Sequence, residues 1–81
     1  MKEFDIEYQW QKFLELMQLD EKRMSVEERR ERKRTFVAAF TQAFILFTDV
    51  LTKITDDDKA VGMIESFRLD LETYWNADMK P

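Results

Sequence analysis

The stretch SVEERRERKRTFVAAFTQAFILFTDVLTKI, Ser25 to Ile54, decides how this chain folds. Ser25 and Glu28 have capping-box spacing: the Ser25 hydroxyl can accept from the Glu28 amide while the Glu28 carboxylate reaches back to the Ser25 amide. Glu27 and Glu28 also put negative charge in the first turn, where the helix dipole favours it. No glycine or proline follows before Gly62. The spacing therefore predicts a helix over 26–54, roughly 43 Å long. At about 100° per residue, Phe36, Phe40, Ala43, Phe47, Leu51 and Ile54 share one face, with Val37, Phe44 and Val50 at its edges. Before Phe36 the same face continues as Arg29, Arg32 and Lys33, so the stripe turns from aromatic to cationic without losing phase. Glu28 and Arg32 stand at i,i+4, and Glu31 and Arg34 at i,i+3, where opposite charges can pair.

Working toward the amino terminus, Asp20 to Met24 is a polar connection, and a helix is predicted over 3–19. Ile6, Trp10, Phe13 and Met17 form its main stripe, flanked by Leu14 and Leu16. Phe4, Tyr8 and Leu19 fall on the other side, so this helix needs cover on two faces. Toward the carboxy terminus, Thr55-Asp56-Asp57-Asp58 is a turn and helix start, with Thr55 or Asp56 as cap. A third helix is predicted over 57–76, its face made by Ala60, Ile64, Phe67, Leu71 and Trp75, with Met63 and Tyr74 at one margin. Gly62 lies inside it but off that face, at a cost of up to about 1 kcal/mol relative to alanine.

The chain has 81 residues, enough for one domain, 1–81, near the lower limit for a stable core. The fold class expected is all-α: a three-helix bundle with a long central helix, completed by self-association. The first helix returns onto Val26–Thr35, which offers only Val26 as an apolar partner. Its stripe must cross steeply to reach Phe36 and Phe40 or pack on another chain. Ile6, Trp10, Phe13 and Met17 are therefore the expected oligomer interface.

Cysteine and histidine are absent, and glycine and proline occur once each. That removes disulfides, thiolate nucleophiles, cysteine zinc sites, the commonest general base, P-loops and dinucleotide fingerprints. No enzyme and no cofactor is expected. The net charge of −4 argues against a general nucleic-acid or membrane-surface binder. Seven of the thirteen basic residues nevertheless fall between Lys22 and Arg34, among only three of the seventeen acids, so that window is +4. In it, Arg29, Arg32 and Lys33, beside Tyr8, Trp10 and Phe36, can line a pocket for a nucleotide or another small anion. The same cations can equally be a solvated helix start, or pair with Glu15, Asp20, Glu21 or a second subunit. Asp56-Asp57-Asp58 lacks the alternating spacing and glycine of a calcium loop and is read as capping, so no metal is expected. The longest apolar run, Ala43 to Phe47, is far shorter than the roughly 18 residues of a span, and acids interrupt the amino terminus where an export signal is apolar. The expectation is a cytoplasmic protein with no membrane partner.

The run Glu31-Arg32-Lys33-Arg34-Thr35-Phe36, then Gln42, a leucine- and phenylalanine-rich helix and Tyr74-Trp75, resembles small helical proteins carried by bacteriophages and mobile elements. The resemblance spans about the last two-thirds of the chain. It implies action by binding, such as blocking a host factor or sequestering a signalling molecule, and transfers no functional residues.

Overall fold

The computed structural model describes residues 1–78. All secondary structure among the described residues is helical, in three α-helices with short 3-10 and π turns between them. The first helix, α1, runs Ile6–Leu16 rather than over 3–19. A 3-10 turn, Lys2–Phe4, precedes it, and the chain then extends at Asp5, whose Oδ1 accepts from the Glu7 amide at 2.8 Å. An aspartate able to cap draws the true helix start to itself. The far end closes in a Schellman motif. Gln18 adopts φ 55°, its amide donates to the Glu15 carbonyl, and the Leu19 amide donates to Leu14. A glutamine in this left-handed region is uncommon, which is why spacing alone carried the helix on to Leu19.

The second helix, α2, runs Val26–Ile45, and its helical backbone continues through a π turn, Leu46–Val50, and a 3-10 turn, Leu51–Lys53. The overall helical span agrees with the expected 26–54, but the winding changes within it, which a uniform 100° spacing does not anticipate. Threonines mark the region: Thr41 Oγ1 donates to the Val37 carbonyl at 2.8 Å, and Thr52 Oγ1 to the Thr48 carbonyl. Such back-bonding competes with the helical ladder and loosens it locally. The capping box is half made. The Glu28 amide reaches Ser25 Oγ at 3.0 Å, but the Glu28 carboxylate turns forward to Arg32 Nε at 3.1 Å.

The third helix, α3, runs Asp57–Asp78, capped by Asp56, whose Oδ1 accepts from the Lys59 amide at 3.1 Å. Nothing lies within 4 Å of where a Cβ on Gly62 would sit. The expected result for Gly62→Ala is therefore a gain of up to about 1 kcal/mol, read from the urea midpoint, because alanine removes a backbone-entropy cost without meeting a neighbour.

Where length suggests one domain, the fold groups into two compact units, Met1–Phe44 and Ile45–Pro81. In the first, α1 reaches the aromatic part of α2 at Phe36. The Phe13 and Phe36 rings lie 4.9 Å apart, Trp10 and Phe36 5.7 Å, and Phe36 and Phe40 5.5 Å. Trp10, fully buried, and Leu14 are the buried residues of the described chain. The second unit, as far as it is described, has half-buried positions at Leu46, Leu51, Ile54 and Ala60 and no buried one.

Candidate functional site

The amino-terminal unit joins an aromatic cluster to the basic start of α2. Trp10, one helical turn before Leu14, sits on the inner face of α1. It stacks on Phe13 at 5.7 Å and 21°, and its indole N–H donates to Glu21 Oε2 at 2.6 Å. Glu21 belongs to a 3-10 turn, Glu21–Arg23, capped by the Asp20 carboxylate, so the connection itself delivers the acceptor. Trp10 is thus consumed by its own unit. This corrects its expected roles, since a residue with no exposed surface and its one donor engaged can contact neither an anion nor a second chain.

The other expected site residues are also dispersed. Tyr8 lies under two cations, Lys2 at 5.5 Å and Lys12 at 5.4 Å from its ring centroid. The Glu15 carboxylate, first by hydrogen bond and then by charge, holds the Lys12 ammonium above the ordinary lysine value. Lys33 Nζ meets Glu7 Oε1 of α1 at 2.5 Å, and Arg32 pairs with Glu28. Of the three expected anion ligands, only Arg29 is left without an ion pair among the described residues. Arg30 and Arg34 share that condition, so the Glu31–Arg34 pair expected from spacing does not form. Arg29, Arg30 and Arg34, with Lys33, Val26 and Val37, line a shallow depression of about 640 Å³. All six residues lie on α2, so it follows a single helix surface.

Of the expected interface stripe, Trp10 is buried and Phe13 half-buried against Phe36, while Ile6 and Met17 stay about 40% exposed. A second depression, about 560 Å³, runs along α2 from Glu31 and Arg32 past Phe36 and Phe40 to Ala43. Glu7 is the organising residue that spacing does not single out, and Glu21, expected only as an ion partner for the basic cluster, takes the Trp10 indole instead; both are acids aimed at partners more than ten residues away, which no periodicity reports. No group of three or more aspartates or glutamates among the described residues could hold a metal ion, Asp56–Asp58 included.

Between Val26 and Lys53 lies an 18-residue window of mean hydropathy 1.5 with at most two charged residues, none of it buried, so length and composition alone would let this helix cross a membrane. A polar face runs along it all the same: Thr41, Gln42, Thr48, Asp49 and Thr52 stand opposite Phe36, Phe40 and Phe47, with Ile45 the large apolar residue among them. No family model, curated protein or solved structure matches the chain.

Proposed function

We propose that this chain is a non-catalytic helical interaction module that self-associates and acts by occupying a partner. The observation that carries this reading is the exposure of its apolar faces. Phe40, Phe47, Ile64, Phe67 and Leu71 all sit on the core-type stripes of α2, its continuation or α3, yet each keeps 40% or more of its surface in solvent. Apolar surface in contiguous stripes, unlike isolated exposed residues, marks an interaction site. The polar face opposite the α2 stripe also favours a bundle-like assembly in water over a lipid-embedded span, which would expose Gln42 and Asp49 to hydrocarbon. A blocking role is what the resemblance to phage-borne proteins implies.

Light scattering after size exclusion tests the reading. The expected result is a mass at least twice 9.9 kDa that persists at high salt, because burial of apolar surface is not screened. A monomer at every concentration, or an assembly that dissolves in salt, would overturn it.

A second reading, capture of a phosphate-bearing ligand, rests on the unpaired Arg29, Arg30 and Arg34. Arginines not already bound to carboxylates remain able to take phosphate bidentately. A thermal-shift series with nucleotides and cyclic nucleotides tests it: a stabilisation that Arg29→Ala abolishes supports it, and no shift with any of them removes it.

A further inference from the structure

The carboxy-terminal unit presents an apolar face that the unit itself leaves open. Phe47 and Val50 on the π turn, with Met63, Ile64, Phe67 and Leu71 on α3, each keep 40–48% of their surface exposed. Between the two segments lies a cleft of about 140 Å³, from Leu46 and Ile54 on one side to Phe67 on the other, lined without a single polar or charged side chain. Charges stand at the margin instead. Arg68 is held between Glu65, at 2.9 Å, and Glu72, which together raise its guanidinium further above its ordinary value, Glu65 contributing most.

We propose that a second copy of this chain covers this face, the two carboxy-terminal units meeting about a twofold axis. The proposal rests on the self-association reading above and names its surface. Area supports it. An aromatic side chain carries roughly 200 Å² and an aliphatic one somewhat less, so six of them about two-fifths exposed offer at most on the order of 500 Å² per copy, and Trp75, 37% exposed and one turn beyond Leu71, adds to it. Two copies then remove at most on the order of 1,200 Å² from water, the lower bound of a stable standard-sized interface. Composition supports the same occupant. An apolar, uncharged centre is the character of homodimer contacts rather than of occasional partners, and a twofold contact brings a matching apolar patch by construction. Arg68 is already neutralised by its own neighbours, so closure strips no bare charge at that margin. An anionic lipid surface fits less well, because α3 carries six acids against two bases and would be repelled.

Sedimentation equilibrium of the full chain provides the test, using Leu71→Glu on the face and Leu69→Glu as control. Leu69 is 53% exposed and lies on the far side of α3, so the control repeats the chemistry away from the contact. The expected result is a wild-type dimer, a dissociation constant about thirtyfold or more higher for Leu71→Glu, the size of an interface hot spot, and no change for Leu69→Glu. A dimer that survives Leu71→Glu overturns the proposal. If that dimer dissolves with Ile6→Glu or Met17→Glu instead, self-association stands and only this face is excluded. Should Leu71→Glu lose helicity by circular dichroism, hydrogen exchange of the wild-type chain decides. Protection at 46–54 and 60–75 that falls on dilution supports the contact, and protection independent of concentration overturns it. A wild-type monomer that floats with phosphatidylcholine vesicles would assign the face to lipid and end the proposal.

Discussion

Replacing Trp10 by alanine should cost about 3–5 kcal/mol, a loss centred on the amino-terminal unit. A chain of this size has roughly 4–12 kcal/mol of total stability, so this one change removes a large share of it. The indole is the largest fully buried side chain, it touches Phe13 and Phe36, and its N–H is engaged with Glu21. Alanine would leave a cavity at the centre of the only buried cluster among the described residues and free the Glu21 connection. Trp10→Phe separates the two contributions. It keeps an aromatic ring in place and loses the N–H donor, and Glu21, only half-buried, can take water instead. The expected loss is then about 1–2 kcal/mol. Urea denaturation followed by circular dichroism reads both. Equal losses would mean that the hydrogen bond, not the packing, dominates; a loss below about 1 kcal/mol for alanine would mean that the cluster is not the core.

Phe36→Ala is the second large effect, expected at about 2–4 kcal/mol in the same experiment. Phe36 is only half-buried, but it is the ring through which α2 receives α1, in contact with Trp10, Phe13 and Phe40. Aromatic pairs add about 0.5–1.5 kcal/mol each beyond area burial, so removing the shared member loses more than its own burial. Phe4→Ala provides the scale: the same substitution at a side chain 88% exposed should lie within about 0.5 kcal/mol of wild type. If the two variants lose equal stability, the joining role assigned to Phe36 is wrong. The two tryptophans give an independent readout, since Trp10 is buried in one unit and Trp75 is partly exposed in the other. Fluorescence of Trp75→Phe therefore reports the cluster alone, and its emission should shift to the red when Phe36 is removed.

What was legible beforehand follows a consistent physical line. Ser25 and Asp56 cap α2 and α3, Glu28 pairs with Arg32, and α3 keeps close to its expected span, whereas α2 ends at Ile45 and only its π and 3-10 continuation reaches Lys53. Each of these rests on groups three or four residues apart, whose relative position the helix itself sets. The candidate site was far less legible. Arg29, Arg32 and Lys33 stand on one face by periodicity, but periodicity does not report that Glu7 of α1 takes Lys33. Nor does it report that the Trp10 indole turns to Glu21 and that Tyr8 sits under Lys2 and Lys12.

By itself, then, the sequence determined three helical segments, the caps of α2 and α3, the apolar faces and the reversal from aromatic to cationic along α2, because all of these follow from local geometry and residue type. Only the tertiary structure decided which stripe is spent inside the chain and which is left over. Phe36 accepted α1, and that enclosed Trp10 and Leu14 in the amino-terminal unit. The stripe of α3 found no comparable cover within the unit that holds it. That outcome depends on where helix axes cross and on the left-handed turn at Gln18 that ends α1. Neither is written in the spacing of residues along one helix.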